Sequence, residues 1–251
     1  MSMSAEHINK IVIASDSFKG SLTQLQVGAA CEAAVRSVLG SDAVTHIVEV
    51  ADGGEGTSQA LMRAYGCHEV ACRVTGPYGR SVVARYGVNG DVAVMEMAAA
   101  SGLHLADGRR DVVNASSVGT GQMLRHAVES GCRKVIIGLG GSATSDGGMG
   151  MLAGLGVVFA DERGNAVEPV AANMCKAASA DFSAARQLLD GVEIIVAADV
   201  VNPYYGPTGA AHVFGPQKGA SVDDVDFLDR GMRHLNKAVH QATGVDMQTI
   251  A

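Results

Sequence analysis

The chain reads as an α/β protein that begins as a parallel, doubly wound sheet and continues into a mixed region. Three observations predict this. Short apolar runs end at glycine-rich crests, helical periodicity fills the intervals between them, and a later stretch switches to closely spaced strand-like runs with tight turns. Lys10–Ser15 (KIVIAS) is the first apolar run and reads as a buried strand. Ser21 starts a helix, with Gln24 three residues on as a capping box. Leu22, Leu25, Ala29, Ala33 and Val35 then keep helical spacing, and Gly40 supplies the stop. A second strand covers 46–50, and a second helix covers 55–65, closed by Gly66.

The pattern then changes. Runs over 69–75, 81–88 and 91–97 are separated by Gly76-Pro77-Tyr78-Gly79 and by Asn89-Gly90, turns short enough for antiparallel hairpins. We place a domain boundary near Gly76, dividing 1–75 from 76–251. A helix is expected over 120–130, a strand over 134–137, a glycine crest and a helix reaching 155. Strands follow over 157–160 and Glu193–Ala197, then a polar amphipathic helix over 223–241. Two βα units do not close a parallel sheet, which usually has ~4–6 strands. The sequence stops at Ala251 without a closing element, so C-terminal material is expected to be missing.

Composition narrows the function classes. Of 251 residues, 47% are hydrophobic and 18% charged, which supports a real core and excludes disorder. Aromatics are scarce, so that core must be built from Val, Ile, Leu, Met and Ala. The net charge of −7 offers no basic footprint for nucleic acid. Five cysteines at unrelated spacings fit a reducing cytoplasm. Residues 1–10 lack the apolar segment of a signal peptide, and no run reaches the ~18 residues of a membrane span. Eight histidines without H-x-x-x-H spacing argue against zinc, and no G-x-S-x-G elbow supports a serine hydrolase.

Two glycine crests follow strands. Val135-Ile136-Ile137 leads into Gly138-Leu139-Gly140-Gly141-Ser142-Ala143-Thr144-Ser145-Asp146-Gly147-Gly148, and Ala51-Asp52-Gly53-Gly54-Glu55-Gly56 follows the second strand. Glycine lets backbone N–H groups approach a phosphate at a helix start. The first crest lacks the Gly-Lys-Ser/Thr ending of a P-loop. Gly138-x-Gly140-x-x-Ala143, with Asp161 roughly 20 residues on, matches a dinucleotide fingerprint and supports an NAD-dependent oxidoreductase as the rival reading. Gly147, Gly148, Gly150 and Gly154 weaken it, since each costs a helix about 1 kcal/mol against Ala. A phosphate cradle, with Asp146 capping the helix or facing a metal, and a plain packing turn are the other readings.

Four further constellations stand beside strand ends or in glycine-rich loops. Asp16-Ser17-Phe18-Lys19-Gly20 follows the first strand, where a lysine can hold phosphate or carboxylate; a solvated loop pair is the plainer alternative. Asp52 and Glu55 are either a carboxylate pair for Mg²⁺ or substrate hydroxyls, or a capping box. Asp199-Val200-Val201-Asn202-Pro203 leaves an apolar strand, where a carboxylate can act as a base or simply form a turn. Lys218, in Val213-Phe214-Gly215-Pro216-Gln217-Lys218-Gly219, either neutralises phosphate or is solvated.

Taken together, these segments resemble the bacterial-type (class I) glycerate kinase family. The stretches that carry the resemblance are KIVIASDSFKGSL at 10–22, VADGGEGT at 50–57, TGPYG at 75–79, MEMAAASGL at 95–103, 119–126, IGLGGSATSDGGMGM at 137–151 and VFGPQKGAS at 213–221. The resemblance implies ATP-dependent phosphorylation of a D-glycerate hydroxyl with Mg²⁺. It also implies a flavodoxin-like (Rossmann-like) domain assembled from both chain ends, with an inserted mixed α/β domain that resembles a restriction-enzyme-like fold. Family chains continue past position 251 into a glycine-rich segment and a Gly-Glu-Gly-x-x-Asp stretch, so the flavodoxin-like domain is expected to be incomplete here. Val201 stands where the family has a second Asp, and Ser15 where it has Pro.

The expected chemistry is in-line phosphoryl transfer, in which the protein positions reactants and neutralises charge. Asp16, Lys19 and Asp199 are the expected catalytic residues, with Asp199 or Asp16 accepting the hydroxyl proton. Ser17, Gly53, Gly54, Gly140, Gly141, Ser142 and Lys218 are the expected substrate and phosphate contacts, and Asp52, Glu55 and Asp146 the metal ligands. The expected partners are D-glycerate and ATP, with a homodimer as self-association and no nucleic acid or membrane. The last alternative is a ligand-binding fragment without turnover.

Overall fold

The computed structural model describes residues 10–15, 18, 21–50, 57–198 and 200–249. They form two compact units, 1–52 and 53–251. In the first unit, β1 (Lys10–Ser15) and β2 (Val44–Glu49) pair in parallel from Lys10 opposite Val44 to Ser15 opposite Glu49. The crossover helix α1 (Gln24–Leu39) starts two residues later than the sequence suggested. Ser21-x-x-Gln24 and Thr23-x-x-Gln26 both fit a capping box, and the second one forms. Leu22 is engaged elsewhere: it exchanges backbone hydrogen bonds with Phe18, so the helix begins beyond it. Gly40, at φ +91°, ends α1 as expected.

The second unit is built on a five-stranded mixed sheet. Its order is β3 (His68–Thr75), β4 (Ser81–Asn89), β5 (Val92–Glu96), β6 (Lys134–Gly138) and β9 (Glu193–Ala197). The β3–β4 and β4–β5 pairs are antiparallel, as the tight turns predicted, while β5–β6 and β6–β9 are parallel. Gly76 lies in the β3–β4 turn, so the change of pattern there is a hairpin within one sheet, and the compact units divide between residues 52 and 53. Because only β4 runs the other way, the carboxyl ends of β3, β5, β6 and β9 share one rim. The expected strand at 157–160 does not join this sheet; β7 (Val158–Ala160) pairs with β8 (Ser179–Asp181) in a separate antiparallel ribbon.

Burial follows the strand pattern. β4 alternates, with Ala84 and Tyr86 buried and Val83 and Arg85 exposed. β5 and β6 are almost continuously buried, as parallel strands covered on both faces should be. The core is Met-rich and aliphatic, with Met95, Met123, Leu124, Ile137, Met149, Met174, Leu228 and Leu235 among its largest fully buried side chains. Tyr86 and Phe159 are its buried aromatics; the Tyr86 hydroxyl lies 2.8 Å from His126 Nδ1, and burial pushes the phenol up to about 12.

The helices of this unit are α2 (Thr57–Ala64), α3 (Ala98–Ser101), α4 (Val118–Glu129), α5 (Met149–Gly154), α6 (Ser183–Leu188), α7 (Ala210–Phe214) and α8 (Val222–Thr243). α8 is the longest, set by a Ser221–Asp224 capping box and closed by Gly244 at φ +77°. At its middle, Met174 packs over Gly231.

The glycines that weakened α5 on propensity have a packing reason. α4 and α5 touch backbone to backbone: a Cβ at Gly121 would lie 2.0 Å from the Met151 carbonyl oxygen, and one at Gly154 2.5 Å from that of Val118. No side chain can retreat there, so overpacking must move a helix. Gly121→Ala and Gly154→Ala are each expected to destabilise the fold by about 1–3 kcal/mol, read as a lower midpoint in chemical denaturation. An unchanged midpoint in both would refute the close contact.

Candidate functional site

The shared rim of the parallel strands gathers the chemistry. Opposite residues Glu96, Gly138 and Ala197 end β5, β6 and β9. The Glu96 carboxylate accepts from the Ser58 N–H at 2.6 Å, which ties the start of α2 to the rim. From Gly138 the crest runs over the 97–103 segment and is pinned to it. Met97 N–H donates to the Gly138 carbonyl at 2.8 Å, Leu103 N–H to Gly141 at 3.0 Å, and Ala143 N–H to the Ser101 carbonyl at 2.8 Å. Ser101 and Thr120, both fully buried, bond through their hydroxyls at 2.8 Å beneath it.

Asp146 anchors the far end of the crest. It is 2% exposed, and its carboxylate accepts from Ser117 N–H (2.7 Å), Ser117 Oγ (2.8 Å), Gly150 N–H (3.1 Å) and Gly148 N–H (3.2 Å). One carboxylate therefore holds the starts of α4 and α5 together, where helix N–H groups favour negative charge. Burial pushes its pKa up, and the Ser117 and glycine hydrogen bonds oppose that rise. Asp146, expected as a cap or a metal ligand, has the cap's geometry. Gly147 and Gly148, at φ +60° and +78°, explain why α5 starts only at Met149.

Lys218 reaches the crest from the loop after α7. Its ammonium donates to Ser142 Oγ at 2.8 Å and to the Thr144 carbonyl at 2.5 Å. Desolvation lowers its pKa to about 8, against the attraction of Asp146. Tyr204 closes the other side; its hydroxyl donates to the Gly147 carbonyl at 2.8 Å, and burial followed by the Asp146 charge raises its pKa. Two cavities open at the β3–β4 turn on the same rim, of about 330 and 360 Å³, and both are lined by Gly76, Pro77, Tyr78 and Arg109.

The structure thus brings Gly140, Gly141, Ser142, Asp146 and Lys218 into one locality. Asp16, Ser17, Lys19, Asp52, Gly53, Gly54, Glu55 and Asp199 lie outside the described residues. Among the described residues no three His, Cys, Asp or Glu side chains gather as a metal site, and the Asp146 oxygens are taken by donors. Sequence reasoning missed Ser117 and Tyr204. Ser117 immediately precedes α4, so a helix-start signal was present, but its hydroxyl serves Asp146 and accepts from Met151 N–H at 2.8 Å instead of capping its own helix.

The dinucleotide reading loses its structural context. No helix starts at Ala143, and Asp161 does not follow a strand of the main sheet. Its carboxylate instead closes a tight turn, accepting from the N–H groups of Arg163 and Asn165.

Residues 11–251 match the profile described as the glycerate kinase family. The chain is 44% identical over 239 residues to a glycerate kinase of Bacillus subtilis (strain 168), covering 94% of this chain and 62% of the relative. It is 42% identical over 244 residues to a glycerate 2-kinase of Escherichia coli (strain K12), covering 96% and 64%. A crystal structure from Salmonella typhimurium LT2, described as a candidate glycerate kinase 2, superposes with a TM-score of 0.84 at 42% identity, covering 96% of this chain and 65% of that one. The chain therefore spans somewhat under two thirds of the length of these relatives.

Asp146→Ala would leave a cluster of buried donors unpaired. It is expected to destabilise the fold by about 3 kcal/mol or more, read by chemical denaturation. Loss of hydrogen-exchange protection at Gly148 and Gly150 should accompany it.

Proposed function

The chain belongs to the glycerate kinase family, and from that premise we propose that it is part of an enzyme that transfers the terminal phosphoryl group of ATP to a hydroxyl of D-glycerate. The observation that carries this reading is the Lys218 ammonium seated on the Gly140–Thr144 crest. An ammonium has three N–H groups, and Ser142 and Thr144 account for two of them. A phosphate oxygen beside the crest completes the set, and the charge that builds up during transfer is met by a fixed cation.

Lys19 is proposed as the second cation, with Ser17, Gly53 and Gly54 as further contacts and Asp199 or Asp16 as the group that takes the hydroxyl proton. These residues follow strand ends, where open α/β sheets bind ligands. A divalent cation, when bound, would neutralise phosphate charge; Asp52 and Glu55 are the proposed holders, since the Asp146 carboxylate is already saturated by donors. The finer fold assignment is also a proposal. The β1–α1–β2 unit supports a flavodoxin-like part and the mixed sheet, which begins at β3, a restriction-enzyme-like insert; the plan from the sequence divides them as 1–75 and 76–251, whereas the compact units divide between residues 52 and 53. No helix of the described residues is long and apolar enough to cross a membrane. Cytoplasm is the proposed compartment, consistent with five free cysteines.

The test is ADP release on D-glycerate, with identification of the phosphorylated hydroxyl; the name of the Escherichia coli relative makes the 2-position the first to examine. No ADP release above the glycerate-free control, from this chain and from one carried to the length of its relatives, would reject the reading. Lys218→Met should lower kcat by about 10²–10³-fold. The lysine is charged below about pH 8 and discharges above it, so kcat/KM for ATP should fall on the alkaline side with a midpoint near 8. Lys218→Arg should remove that limb. Stability moves the opposite way. Between about 8 and the ordinary 10.5 the unfolded chain binds this proton and the folded chain does not, so the Lys218 contribution rises with pH across that window.

A further inference from the structure

We propose that the cavity of about 330 Å³ at the β3–β4 turn is a purine-nucleotide site, in which Tyr78 and Pro77 receive the base and Arg109 the phosphate nearest to it. The inference rests on the phosphoryl-transfer reading and names where its donor binds. The TGPYG turn matched the family by sequence but acquired no role in the chemistry above.

Position is the first argument. Thr75 ends β3 on the same rim as Glu96, Gly138 and Ala197, so the cavity and the crest share one edge of the sheet. Size is the second. The volume falls within the ~300–1,000 Å³ of small-molecule pockets and exceeds what a three-carbon acid fills.

Wall chemistry is the third. Pro77, Tyr78, Val118, Pro169 and Val170 offer apolar surface to a planar ring. The Arg109 guanidinium lies 5.1 Å from the Tyr78 ring centroid, which pairs a stacking platform with a cation. Glu168, the other charged lining residue, is an acceptor suited to an exocyclic amine and unsuited to a bare polyphosphate. A ligand with an aromatic face, a donor edge and a negative tail satisfies all of these. Across Tyr78, the neighbouring cavity holds Arg80 already paired with Asp107 at 2.7 Å, which leaves it the poorer anion site.

Continuity with the crest is the fourth. Ser116 lines the cavity, while the next residue, Ser117, grips Asp146. A Cβ at Gly150 would lie 2.5 Å from Ser116 Oγ and 2.6 Å from Asp146 Oδ2, so one layer of atoms separates cavity from crest. Arg110 follows Arg109 and packs on Gly219, which follows Lys218; a Cβ at Gly219 would lie 2.4 Å from Arg110 Cβ. A ligand with a base at one end and a phosphate chain at the other suits two such neighbouring stations.

Isothermal titration of the 251-residue chain with ADP, adenosine and pyrophosphate tests this. ADP should bind and adenosine should compete with it. Tyr78→Ala should weaken ADP by about tenfold or more while leaving pyrophosphate unchanged, and Arg109→Gln should weaken ADP by about tenfold. Melting curves establish that the variants fold. Should Tyr78→Ala not fold, magnetisation transfer from adenosine ring protons to the Tyr78 ring in the unsubstituted chain decides: transfer supports the site and its absence overturns it. ADP affinity within roughly twofold of the parent in both folded variants overturns it, as does pyrophosphate binding as tightly as ADP without competition by adenosine. The two readings separate cleanly. Tyr78-dependent ADP binding without glycerate phosphorylation keeps this site and discards the kinase. Glycerate turnover with an unchanged KM for ATP in Tyr78→Ala does the reverse.

Discussion

The buried carboxylate of Asp146 is the constraint on which the rim of the sheet depends. Two helix starts and an eleven-residue crest converge on it, and every donor it receives comes from backbone or from one serine. Removing such a charge from water is costly unless its oxygens are fully satisfied. The surrounding glycines make that satisfaction possible. Gly150 lets Ser116 and the carboxylate approach the helix from one side, and Gly121 and Gly154 let α4 and α5 close to backbone contact. Packing and electrostatics are thus a single arrangement here.

The charges around it are graded. Asp146 is sealed, with burial pushing its pKa up, and Lys218 sits at the crest with its cost of desolvation partly offset by attraction to that neighbour. Tyr204 stays neutral beside them and spends its hydroxyl on Gly147. The outcome is an ammonium held at the edge of the crest and a hydrogen-bonded carboxyl group held beneath it. That ordering suits an anionic ligand arriving from the rim, and it leaves the helix dipoles of α4 and α5 already neutralised by the protein itself.

Much of the fold was legible because strong local signals agreed with the tertiary outcome. Lys10–Ser15 and Glu193–Ala197 form as read, and the long amphipathic pattern of α8 fixes it within two residues at either end. The Gly76–Gly79 and Asn89–Gly90 turns gave the hairpins. The first helix start was not decidable from local pattern, because two overlapping capping boxes compete and a pairing of Phe18 with Leu22 chooses between them. Short elements such as β8, α6 and α7 carry too few periods to announce themselves. At the candidate site, residue chemistry singled out Lys218 and the crest separately, and the fold brings them into contact. The role of Ser117 was not, because its partner lies 29 residues away and only the tertiary fold unites them.

The crest is completed by residues that come much later in the chain. Tyr204 reaches back 57 residues to Gly147, and Lys218 reaches back 76 to Ser142. Contacts of such long sequence separation form slowly, since loop closure must precede any gain from them. During synthesis the strand, the glycines and Asp146 emerge well before the tyrosine and the lysine that finish them. A nascent polypeptide therefore carries an unfinished crest until the 218 loop has left the ribosome.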